Sequence, residues 1–155
     1  MYSKFGQFID GKWQASEKNE TYDVINPATE ETIGKASKAS PADVDKALKS
    51  AEKGFKIWKK FSPWDRAAII RKIADLMRKK NNELAKWMTL ETGKPLAEAL
   101  GEVSASADIF EWNAEETKRI YGQTVQSRFE NTRIIINYEP VGVVAALSPW
   151  NFPLI

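Results

Sequence analysis

The sequence predicts an α/β fold, and three observations carry that prediction. The first forty residues read as short strands joined by turns, the middle shows helical periodicity behind two well-formed N-caps, and the last third returns to β-branched runs. With 155 residues, 43% of them apolar, the chain can build one domain, or part of a larger one, around a sizeable core.

Each element has a local cause. Phe8-Ile9, Asp10-Gly11 and Lys12-Trp13 form a hairpin signal, because Asp-Gly suits the two positive φ angles of a type I′ turn. Val24-Ile25 is short and β-branched, and Asn26-Pro27 turns the chain. Ser40-Pro41-Ala42-Asp43 sets a hydroxyl at an N-cap, proline at the first helical position and a carboxylate near the positive helix end; Ser62-Pro63-Trp64-Asp65 repeats it. Val44, Ala47, Leu48, Ala51 and Phe55 follow the first cap at helical spacing. Ile69, Ile73, Leu76 and Met77 follow the second, with Leu84, Trp87 and Met88 on a continuation. Gly93 and Pro95 punctuate the chain before a third helix, whose apolar face runs from Leu96 through Val103 to Ala114. Gly101 and Ala105 leave room on that helix for a close approach. Arg133–Tyr138 reads as a strand. Val141–Leu147 contains no polar side chain, the pattern of a strand covered on both faces in a parallel sheet. Ser148-Pro149-Trp150-Asn151 then leaves its carboxyl end, where open α/β sheets place ligands.

Composition excludes several functions. There is no Cys and no His, so these residues offer no disulfide, zinc thiolate, thiol nucleophile or imidazole base. Lys and Arg number 23 against 21 Asp and Glu, which gives no strong pull toward nucleic acid or anionic membrane. No metal-ligand cluster is expected. No stretch approaches the roughly 20 apolar residues of a membrane span, and Met1–Gly11 lacks a signal-peptide core, so a cytoplasmic protein is expected.

Candidate sites are few. Asn151 offers a side-chain amide on a loop braced by Pro149 and Pro153; it could hold a developing oxyanion, or merely cap a turn, and spacing alone favours the turn. Trp150 could floor a ligand pocket or fill a core. Lys94, in Thr92-Gly93-Lys94-Pro95, lacks the spaced glycines of a phosphate loop and reads as a helix stop before a new start. Glu115 and Glu116 diverge on a helix and read as a solvated face.

Read in order, these residues resemble the aldehyde dehydrogenase superfamily over almost the whole chain. The resemblance rests on Asp10-Gly11-Lys12-Trp13, Asn26-Pro27-Ala28-Thr29, Trp58, Arg66-Ala67, Glu91-Thr92-Gly93-Lys94-Pro95, Glu139-Pro140-Val141-Gly142-Val143 and Pro149-Trp150-Asn151-Phe152-Pro153. The segments MTLETGKPLAEA and EWNAEETKRIYG look closest to succinate-semialdehyde dehydrogenases. The resemblance implies an N-terminal part of that fold: a β-hairpin, a helical layer, an oligomerisation strand and the first strand of a Rossmann-like parallel sheet. Residues 1–155 would belong to the NAD(P)-binding domain, 123–140 would contribute to an oligomerisation arm, and the catalytic domain would be absent.

The chemistry it implies is oxidation of a small aldehyde to the acid with NAD or NADP. A cysteine attacks the aldehyde to give a thiohemiacetal, hydride leaves to the nicotinamide, and glutamate-activated water frees the acid. Asn151 matches the amide that donates to the negative oxygen. Leu147, Ser148, Pro149, Trp150 and Asn151 match the loop along which the cofactor lies. Phe152 matches an aldehyde-channel aromatic, and the helix bearing Gly101 and Ala105 matches a wall of that channel. Some family members bind a monovalent cation near the position of the Ile25 carbonyl, with a carboxylate where this chain has Thr92; no metal is assigned here. The nucleophilic Cys and the Glu belong to family regions downstream of Ile155, so residues 1–155 alone are expected to be inactive, within a parent that forms a homo-oligomer, a dimer or a tetramer. The competing expectation is a non-catalytic interaction module that pairs through exposed strands.

Overall fold

The computed structural model describes residues 6–155. Three two-stranded antiparallel sheets surround or extend from a layer of four helices. Strands β1 (Gln7–Ile9) and β2 (Lys12–Gln14) form the hairpin expected from Asp10-Gly11, with φ of 55° and 75° at those two residues. Phe8 faces Trp13 across it, ring centroids 5.1 Å apart. Strands β3 (Thr21–Ile25) and β4 (Thr32–Ser37) form the second sheet. In the turn between them the Asn26 side-chain oxygen accepts from the Ala28 N–H at 3.0 Å, as an Asx turn requires. Strands β5 (Gln123–Gln126) and β6 (Arg133–Ile136) form the third, and every residue of both is exposed.

Helix α1 (Pro41–Trp58) begins with a full capping box. Ser40 Oγ accepts from the Asp43 N–H, and the Asp43 carboxylate accepts from the Ser40 N–H at 2.9 Å and from the Glu17 N–H at 3.1 Å. These bonds, the Ser40 N–H first, hold the Asp43 carboxyl below the ordinary carboxylate range. The cap therefore also ties α1 to the loop after β2. Helix α2 (Pro63–Lys79) starts on the Ser62 cap. Helix α3 (Asn81–Thr92) ends at Gly93, whose φ of 73° requires glycine; a Cβ there would also stand 3.1 Å from Pro27 Cγ. Helix α4 (Leu96–Glu116) follows Pro95.

The core sits where α2 and α3 pack on α4. Small side chains dominate it: Ala67 and Ala74 from α2, Ala85 and Met88 from α3, and Ala99, Val103, Ala107 and Ala114 from α4 are buried. Alanine at the contact lets the helix axes approach closely. At the rim, Arg78 Nη2 donates to Asp108 at 2.8 Å and to Glu111 at 2.6 Å, while Arg71 pairs with Glu115. Glu115 is thus a bridge between helices, pairing with Lys118 on its other side, and its carboxyl is lowered by those cations, Lys118 first.

Two expectations need correction. Val141–Leu147 is no strand: Val141 is 93% and Leu147 96% exposed, because a parallel strand takes its hydrogen bonds from neighbours and the described residues supply none there. On α1, whose helical spacing the structure bears out, Val44 and Leu48 stay about half exposed. The helix begun at Pro63 does not continue to Met88. It breaks at Lys80 (φ −101°, ψ 14°), and Asn81 Nδ2 ties the first turn of α3 to Ser104 Oγ of α4 at 2.8 Å.

Candidate functional site

The site is built where the α3–α4 junction meets the turn at residues 150–154. Gly93 reverses the chain at the end of α3, and Pro95 starts α4. Thr92 Oγ1 accepts from the Lys94 N–H at 3.2 Å and donates to the Met88 carbonyl at 2.8 Å, fixing the backbone from which Lys94 projects. Glu102 lies on the buried stripe of α4 beside Ala99, Val103 and Ser106.

Lys94 and Glu102 form an ion pair with side chains only 12% and 2% exposed. A charge so deeply placed requires a partner, and both have one. Lys94 Nζ also donates to the Asn151 carbonyl at 2.6 Å and lies 4.1 Å from the centroid of the Phe152 ring. Glu102 Oε1 accepts from the Leu154 N–H at 3.1 Å. Leu154 itself packs on the Ala85, Met88, Ala99 and Val103 cluster. One ammonium and one carboxylate therefore hold the turn at three residues.

With its carbonyl engaged, Asn151 keeps its side-chain amide out of any hydrogen bond among the described residues, and the residue is exposed. Trp150, 86% exposed, and Asn151 border a cleft of about 450 Å³ with Pro27, Glu91 and Glu98 on its other walls. Burial pushes the Glu91 carboxyl up. The arrangement can present an amide donor and an indole face to a small ligand.

The predicted residues divide. The structure joins Asn151 and Phe152 through Lys94 and brings Trp150 to the same cleft. Asn151 leaves an exposed turn and not the carboxyl end of a hydrogen-bonded strand, which corrects the expected placement; the preceding segment lacks its neighbours. Leu147, Ser148 and Pro149 are exposed. Gly101 and Ala105 lie on the solvent side of α4, where a Cβ on Gly101 would meet nothing within 4 Å. Sequence reasoning missed Glu102 and read Lys94 as punctuation. The available signal was an acid within the otherwise small and apolar stripe Ala99, Val103, Ser106, Ala107.

Among the described residues, no group of three or more Asp or Glu gathers as a metal site, and no helix is long and apolar enough to cross a membrane.

Comparison with known proteins defines the class. The aldehyde dehydrogenase family model matches residues 13–155. The chain belongs to that family. It is 42% identical over 146 residues to the glutarate-semialdehyde dehydrogenase of Pseudomonas aeruginosa, and 41% identical over 145 residues to the NADP(+) succinate-semialdehyde dehydrogenase GabD of Escherichia coli; each match covers 94% of this chain and 30% of the relative. The crystal structure of succinate-semialdehyde dehydrogenase from Burkholderia pseudomallei superposes with a TM-score of 0.90 at 42% identity, again over 94% of this chain and 30% of that one. The chain thus spans about 30% of the length of the curated relatives it matches.

Proposed function

We propose that these 155 residues are the N-terminal part of an NAD(P)-dependent dehydrogenase that oxidises a small semialdehyde, succinate semialdehyde foremost, to its carboxylic acid. The observation that carries the proposal is the turn at Asn151, held by its backbone while its amide stays unbonded. The relatives named for glutarate and succinate semialdehyde support the substrate class, and GabD, named for NADP(+), supports a nicotinamide cofactor.

In this reading the Asn151 amide donates to the oxygen that becomes negative when the aldehyde is attacked. A pre-oriented donor of this kind stabilises the transition state by roughly 2.7–4 kcal/mol, because it needs no reorganisation as charge develops. The Trp150 indole face and the Asn151 amide suit the flat, polar-edged nicotinamide end of a dinucleotide, and Leu147, Ser148 and Pro149 lie on the same exposed run. When bound, the cofactor supplies the hydride acceptor. Phe152 borders the aldehyde path, and Gly101 and Ala105 give α4 the open surface that a channel wall needs. With no Cys in these residues, a thiol nucleophile for the aldehyde would have to come from outside them. Turnover of succinate semialdehyde by the full-length protein, with NAD and NADP compared, tests the proposal; preference for a large or uncharged aldehyde would overturn the substrate class.

A second reading is favoured by one feature. Phe129, Ile135 and Tyr138 are each more than 60% exposed around β6, whose outer edge is unpaired. This supports residues 123–140 as an arm that pairs copies of the protein. Light scattering after size exclusion should show an oligomer of the full-length protein; a monomer contradicts the arm.

A further inference from the structure

We infer that Lys94 and Glu102 are positioning residues, a buried latch that sets the Asn151–Leu154 turn and thereby aims the Asn151 amide. The inference rests on the reading of Asn151 as the oxyanion donor. Among the described residues, the segment that leads into the turn is exposed and pairs with no strand. Pro153 within the turn and Pro149 before it stiffen the chain but cannot orient the turn relative to the helices. Two polar contacts with the helical layer do: Lys94 Nζ to the Asn151 carbonyl and Glu102 Oε1 from the Leu154 N–H.

The chemistry of the pair suits that task. Each charged group divides its bonding between its partner and a backbone group of the turn, so neither is satisfied unless the turn is seated. The Phe152 ring covers the ammonium, and a fixed cation beneath it restricts that aromatic as well. A lone apolar anchor at Leu154 would hold the turn against the core but leave its rotation free, since dispersion contacts are not directional. The ion pair supplies the direction.

The test uses the full-length protein and the variants K94M, N151A and K94M/N151A. K94M should lower kcat about 10- to 100-fold while the aldehyde KM stays within about twofold, as a misplaced catalytic group does. The double variant should be no slower than N151A by more than about threefold, because Lys94 acts through Asn151. Wild-type kcat in K94M, or losses that multiply in the double variant, overturn the inference. Should N151A leave kcat intact, the oxyanion reading fails by itself. The latch is then judged by amide exchange in E102L: exchange at Leu154 about tenfold faster or more, with Ala107 of α4 unchanged, supports it. Equal acceleration at both amides marks a pair that merely holds the fold, and unchanged exchange at Leu154 marks no latch; either overturns it.

Discussion

The helical layer and the ribbon from Gln123 to Pro149 contain similarly apolar sequence, but only the layer seals a continuous apolar stripe. In α2–α4 a stripe of small apolar residues is sealed: Ala74, Ala85, Ala99, Val103 and Ala107 are wholly buried, and the rim closes with Arg78 on Asp108 and Glu111, while larger side chains such as Trp64, Leu76 and Trp112 stay exposed. In the ribbon, Ile135, Val144 and Leu147 are 65%, 71% and 96% exposed. The difference teaches that hydrophobicity fixes a position only where a complementary face lies within reach. A helix satisfies its own backbone and needs only a neighbour's side chains, whereas a strand needs a neighbour's backbone as well.

The sharpest way to break this comparison is to place a carboxylate on each side of it. Val103→Asp should cost about 4 kcal/mol or more and leave no cooperative thermal transition by circular dichroism, because the charge has no partner in the core. Ile135→Asp in β6 should change stability of the 155-residue chain by less than about 0.5 kcal/mol. A gentler pair sharpens the same contrast. Met88→Ala should cost about 2–5 kcal/mol in urea unfolding, from lost burial and the cavity left behind, and Ile135→Ala almost nothing.

More modest losses are expected at the N-terminus of α1. Ser40→Ala should cost about 0.5–2 kcal/mol, since it strips the cap from the Asp43 N–H. Asp43 sets the sign of a pH effect. Its carboxyl is lowered in the folded protein, so its contribution is present above the carboxylate's unfolded value and is lost as pH falls through the lowered one. Urea titrations across the acid range should therefore show a shallower loss of stability in Asp43→Asn than in the parent chain. A slope unchanged by the substitution contradicts the capping account.

What was legible in the sequence follows from the range of each interaction. Asp10-Gly11, Ser40, Ser62 and Gly93 act within four residues of themselves, and the structure shows the turn, caps and helix end they imply. The α4 stripe was legible for the same reason, because its period is local. The strand expected at Val141–Leu147 depended on partners that no local pattern reveals. The Lys94–Glu102 latch was hidden for a related cause. Its ion pair spans the Gly93–Pro95 junction, where periodicity is broken, and its other contacts lie more than fifty residues away at Asn151 and Leu154.

The most direct measurement is steady-state oxidation of succinate semialdehyde by the full-length protein and its Asn151→Ala variant. Removal of an oxyanion donor should lower kcat roughly 10²- to 10³-fold, with little change in the KM for aldehyde. A variant that turns over at the parent rate contradicts the role given to Asn151.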